Sequence, residues 1–171
     1  MKKICLIRHA KSDHNLDLED FDRPLSKKGE NDAQIMAKAL NERRIDCDLI
    51  ITSGAKRALS TAQYIASGLA YSRNLQIDNR LYHGSEKEYI AIIHELDDRF
   101  NTVIIVGHNP IITETGGLLC GGDIHYFDPC AVLCASFKRQ SFSLIDDRSG
   151  EVVFFDSPKL RKGQSRHNAN Q

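Results

Sequence analysis

The stretch LIRHAKS, residues 6–12, closes an apolar run with an arginine and a histidine side by side and a lysine two residues on. Lys3–Ile7 has the length and composition of a buried strand. Such a strand gains nothing from an Arg-His pair at its tip, because burying charge is costly, unless the tip is a working site. The fold turns on what this strand belongs to.

Three other short apolar runs have the same character: Asp48–Thr52, Leu75–Ile77 and Thr102–Val106. Helical patterns separate them. Over Lys27–Arg43, with Ser26 as N-cap, Ala33, Met36, Ala37 and Leu40 fall on one face. Ala55–Leu69 repeats the spacing with Ala58, Ala62, Ile65, Ala66 and Leu69. A third helix opens on Ser85-Glu86-Lys87-Glu88, an S-x-x-E capping box, and a fourth is expected at Asn109-Pro110, with Asn109 as N-cap. Beyond them Ala131–Phe137, Ser141–Asp146 and Glu151–Phe155 read as strands, the last two pairing antiparallel across DDRSGE. This alternation predicts a three-layer α/β/α fold with a mostly parallel central sheet and an antiparallel C-terminal extension.

A chain of 171 residues can bury about 70% of its unfolded surface around one core. A single domain over residues 1–157 is expected, followed by a polar, basic tail over 158–171. Lysines and arginines balance the acids to a formal net charge of zero, so no global field recruits nucleic acid or an anionic membrane. Five cysteines without a CxxC pair fit neither a disulfide framework nor a zinc knuckle and read as buried thiols. With no signal-peptide core and no run long enough to span a bilayer, a cytoplasmic location is expected.

In open α/β sheets ligands bind beyond the carboxyl ends of the parallel strands. After the first strand come Arg8-His9; after the second, Ser53-Gly54-Ala55-Lys56-Arg57; after the fourth, Gly107-His108-Asn109-Pro110. Two arginines and two histidines thus converge on one sheet edge. Guanidinium forks match phosphoryl oxygens, and helix N-termini add free N–H donors. A neutral imidazole can attack phosphorus, and a second, if protonated, stabilises the equatorial oxygens. His9, rigidly mounted and kept deprotonated by Arg8, is read as the nucleophile and His108 as the transition-state clamp.

These segments resemble the histidine phosphatase superfamily: LIRHAKSD, residues 6–13, is similar to its Arg-His-Gly/Ala signature, with DRPLSKKG, ITSGAKRALSTA and VIIVGHNP in the family's order. The similarity is greater to the short bacterial phosphohistidine phosphatases of the SixA type, whose RLYHGSEKE and FDPCAVLCASF segments also have counterparts here. The resemblance implies a phosphoglycerate mutase-like fold and a metal-independent phosphatase needing no cofactor. It implies His9 as the phosphorylated nucleophile, Arg8 and Arg57 as phosphate clamps and His108 as the second catalytic histidine. Lys11, Ser12 and Asn109 lie beside motif positions and are candidates for lining the pocket. One departure is Gly54, where many relatives carry proline, which is expected to loosen the turn leading to Arg57.

Mutases and sugar phosphatases of the superfamily protonate an alkoxide with a carboxylic acid after the third strand, a step worth about 10²–10⁴ in rate. Here Glu86 and Glu88 are the only carboxylates in that stretch; the capping box claims Glu88, and Glu86 belongs to the first helical turn. His83 is a weaker substitute. Imidazole leaves phosphorus more readily than an alkoxide, so the expected substrate is phosphohistidine on a signalling or phosphotransfer protein, with inorganic phosphate as product. The alternatives are a small-molecule phosphomonoesterase on the same site and a non-catalytic phosphohistidine-binding module. The acidic loop DLEDFD, residues 17–22, reads as solvated.

Overall fold

A computed structural model describes residues 1–168. The strands are β1 (Lys2–Arg8), β2 (Leu49–Thr52), β3 (Gln76–Ile77), β4 (Thr102–Gly107), β5 (Val132–Phe137) and β6 (Glu151–Asp156). The helices are α1 (Lys27–Glu42), α2 (Lys56–Gly68), α3 (Arg80–His83), α4 (Glu86–His94), α5 (Ile111–Cys120) and α6 (Pro158–Asn168). One six-stranded sheet runs in the order β3-β2-β4-β1-β5-β6. The first four strands of that order are parallel, while β5 and β6 are antiparallel to their neighbours. This is the α/β architecture expected from the strand–helix alternation.

β1 lies in the interior of the sheet, and its side chains alternate between two cores, as the two-residue period of a strand requires. Ile4 and Leu6 pack with Tyr89 and Ile92 of α4 and Ile112 of α5. Cys5 and Ile7 face Met36 and Leu40 of α1 and Ala58 and Ile65 of α2. An apolar run buried on both faces is what a central parallel strand demands.

Ser26 caps α1 by accepting the Gly29 N–H at 3.1 Å, and the Glu88 carboxylate accepts the Ser85 N–H at 2.7 Å at the start of α4. Three readings need correction. Ser141–Asp146 is not a strand: Ser141 starts a 3-10 turn over Phe142–Leu144 that buries Phe142 and Ile145, so β6 pairs with β5 instead. Asn109 does not cap α5, because its amide is committed elsewhere and Pro110 takes the position before Ile111. The segment after Ser157 is helical, tied to the body by Arg161 on Asp156 at 2.8 Å and Lys162 on the buried Asp32 at 2.8 Å; Ala169–Gln171 of the expected tail lie outside the described residues.

Candidate active site

Strand register assembles the site. Arg8 is paired with Gly107 across β1 and β4, so the two residues that follow, His9 and His108, leave the sheet side by side. The His9 N–H donates to Gly107 O at 3.0 Å and the Ser53 N–H to Val106 O at 3.2 Å, which brings the third strand end to the same place. The imidazoles of His9 and His108 stand 5.0 Å apart between centroids.

His9 Nδ1 lies 2.7 Å from its neighbour's carbonyl, Ala10 O. A carbonyl can only accept, so Nδ1 carries the proton and Nε2 keeps its lone pair. The Arg57 Nε–H points at that lone pair across 3.3 Å. Burial pushes the His9 pKa down to about 3, with the charges of His108, Arg57 and Arg8 adding to it and the bond to Ala10 opposing. The imidazole is therefore neutral at pH 7, chiefly through desolvation rather than through Arg8, the cause expected from the sequence.

The charge of His108, left conditional by the sequence, is decided by its surroundings. Burial, reinforced by Arg57, lowers its pKa to about 4, so without an anion beside it the ring is neutral. Its Nε2 sits 2.8 Å from Ser53 Oγ, and Ser53 Oγ in turn accepts the Ala55 N–H at 3.1 Å. Its Nδ1 is buried and has no partner among the described residues. A dianion at that atom would draw a proton onto the ring.

The main chain of His108 is fixed too. Its N–H donates to the Tyr89 hydroxyl at 3.2 Å, and that hydroxyl donates to Leu81 O at 2.5 Å. Gly107 makes the contact possible, since a Cβ there would lie 2.5 Å from the same oxygen.

Arg8 donates from Nη1 to Phe127 O at 2.8 Å, and its buried Nε has no partner among the described residues. Asn109 Nδ2 donates to the same carbonyl at 2.8 Å, while its Oδ1 accepts from Thr113 at 2.6 Å. Asn109 therefore braces the loop that seats Arg8 rather than lining the pocket. Ser12 is buried and its hydroxyl accepts from Arg23, while Lys11 is exposed and contributes its carbonyl to Ser26 at 2.9 Å. The turn at Gly54 is tethered, not loose: its N–H donates to Asn79 Oδ1 at 3.0 Å, an approach that a Cβ would block at 2.6 Å.

Sequence reasoning missed Ser53, Tyr82, Arg23 and Asp20. Tyr82, from the short α3, sets its ring 5.5 Å from His108 and 6.0 Å from the Arg57 guanidinium. Asp20, in the acidic loop read as solvated, accepts from Arg57, Arg23 and Tyr82. The signal available was the D-x-x-R spacing of Asp20 and Arg23, which a one-turn helix puts side by side.

Paired imidazoles between two arginines, one imidazole with a free lone pair, form a phosphatase-type site on a phosphoglycerate mutase-like fold. The chain is similar to the histidine phosphatase superfamily, whose branch 1 family model matches residues 4–85. Over more than nine-tenths of its length the chain is similar to structures of the SixA type. The protein histidine phosphatase SixA complexed with tungstate superposes with a TM-score of 0.81 at 19% identity, over 93% of this chain and 99% of that one. The putative phosphohistidine phosphatase SixA from Agrobacterium tumefaciens gives 0.76 at 25% identity, over 92% and 98%. An uncharacterized chloroplastic protein of Arabidopsis thaliana is 29% identical over 80% of this chain, which spans 67% of that relative's length.

Proposed function

We propose that the chain is a phosphatase that works through a phosphohistidine on His9 and acts on phosphohistidine borne by a protein. His9 Nε2 attacks phosphorus in line, the bond from phosphorus to the substrate's imidazole nitrogen breaks, and the imidazole leaves with its proton. Water then cleaves the bond from phosphorus to Nε2, releasing inorganic phosphate. Arg57 from its Nε edge, Arg8 from its unpaired Nε and His108 from Nδ1 are the donors for the transferred oxygens.

The observation that carries the mechanism is the lone pair of His9 Nε2 aimed at the Arg57 guanidinium, 3.3 Å away. The substrate class rests on what the third strand end supplies. Glu88 caps α4, His83 is exposed, and α3 delivers a tyrosine instead of a carboxylic acid to the site. A leaving group that must be protonated by an acid of raised pKa is poorly served here, whereas imidazole is served without one.

The test is turnover of a phosphorylated histidine-phosphotransfer domain against a panel of sugar phosphates, with acid-quench trapping of the phosphoenzyme. Faster release of phosphate from the domain, and an acid-labile phosphoenzyme absent from His9→Ala, are expected. Faster turnover of the sugars would overturn the substrate reading.

A further inference from the structure

Asp20 enters the site on the 3-10 turn Asp20–Asp22. Its Oδ2 accepts from Arg57 Nη2 at 3.0 Å and from the Tyr82 hydroxyl at 2.8 Å, its Oδ1 accepts from Arg23 Nη2 at 2.7 Å, and its carbonyl takes Arg57 Nη1 at 2.7 Å. A guanidinium has more than one fork. Asp20 occupies the Nη1/Nη2 end of Arg57 and leaves the Nε edge facing His9 Nε2. A phosphoryl group in front of His9 meets that edge without displacing Asp20.

The carboxylate therefore remains beside a bound substrate. It stands on the solvent side, its side chain 54% exposed where that of Arg57 is 7%. In-line departure from the buried His9 would send the leaving group toward solvent, the side on which the exposed Asp20 and its partner Tyr82 stand. Hydrogen bonds from Arg23 first, then Tyr82 and Arg57, hold the Asp20 carboxyl well below the usual carboxylate range, so it is an anion and no proton donor.

We propose that Asp20 is a specificity-determining residue: a fixed negative charge at the mouth that disfavours leaving groups carrying a second anion and favours one that is cationic while still bonded to phosphorus. A phosphohistidine ring protonated on its other nitrogen is such a cation and departs as neutral imidazole; a phosphorylated hydroxy acid is the opposite case. Removing the charge would leave Arg23 and Arg57 uncompensated and turn the mouth toward anions. For unit charges several ångströms apart near a protein surface the effect is about tenfold.

The experiment compares kcat/KM for three probes in the wild type and in Asp20→Asn: 3-phosphoglycerate, glucose 6-phosphate and a phosphohistidine peptide. Relative to glucose 6-phosphate, Asp20→Asn is expected to raise 3-phosphoglycerate about tenfold and to lower the peptide several-fold. Tyr82→Phe, which keeps the charge and drops one donor, is expected to leave both ratios within about twofold. Equal changes for all three probes, or the same ratio shift in Tyr82→Phe, would overturn the proposal by reducing Asp20 to a brace for Arg57. Only the peptide arm rests on the phosphohistidine reading. The ratio of the two esters tests the charge filter even if the peptide is not turned over, and ligand affinities of His9→Ala and His9→Ala/Asp20→Asn give it where turnover is slow.

Discussion

Arg57 directs its Nε–H at Nε2 of His9 across 3.3 Å, so the cation proposed to clamp the substrate already marks where phosphorus would approach the proposed nucleophile. That contact ties the end of β1 to the start of α2 through side chains alone, and the reactivity of the site depends on both ends of it.

Replacing His9 by alanine removes the lone pair and is expected to cost about 10⁴-fold or more in kcat, with no acid-labile phosphoenzyme on quenching. Arg57→Lys keeps the charge and loses the fork, so a loss of about 10²–10³ in kcat is expected despite conserved charge. Steady-state rates with rapid-quench trapping check both.

The two histidines set a pH signature. Their folded pKa values, about 3 for His9 and about 4 for His108, lie below the ordinary 6.5. Between those values the unfolded chain binds more protons than the native one, so stability falls as pH drops from about 6.5 toward 3 and is fully retained, without further dependence on these groups, above neutrality. Denaturant midpoints at pH 7.5 and pH 5 are expected to differ in that direction. In an NMR titration both rings stay neutral down to about pH 5, and tungstate is expected to raise the His108 pKa while Arg8 and Arg57 share its charge.

Ser53→Ala leaves His108 Nε2 and the Ala55 N–H without their partner. A loss of about 1–3 kcal/mol in unfolding free energy is expected, with kcat falling about tenfold as the imidazole loses its preferred tautomer. An unchanged kcat with unchanged stability would show that the hydroxyl does not orient the ring.

Gly107→Ala would drive a methyl to 2.5 Å from the Tyr89 hydroxyl, which holds both the His108 N–H and Leu81 O. Destabilisation of about 1–3 kcal/mol is expected, and the double variant Gly107→Ala/Tyr89→Phe should recover part of it. Thermal or denaturant unfolding of the three variants checks the coupling.

Much of this arrangement was legible in the sequence, and the reasons are local. A run such as Ile4–Ile7 buried on both faces reads as a central strand, and the residues that follow parallel strands in an open sheet meet at one edge. That is why His9, Arg57 and His108 could be placed together from spacing. Ser141–Asp146 was misread because Phe142 and Ile145 are apolar residues three apart in a short segment, a pattern that a strand and a buried turn share. Asp20 was invisible for a different cause. An acid in an acidic loop looks solvated until the fold brings an arginine from α2 and a tyrosine from α3 to meet it. The charge state of His108 was equally out of reach, since burial decides it and burial is a property of the assembled site.

The carbonyl of Phe127, shared by Arg8 and Asn109, has a consequence for how such a site can diversify. One main-chain oxygen ties together side chains from the tips of β1 and β4, which the strand register already sets side by side, and main-chain oxygens persist through substitution. The side chains around it, including the exposed Tyr126 ring 5.8 Å from the Arg8 guanidinium, are then free to change and reshape what a substrate meets. Selectivity on that side can drift between homologues while the reacting groups keep their separation.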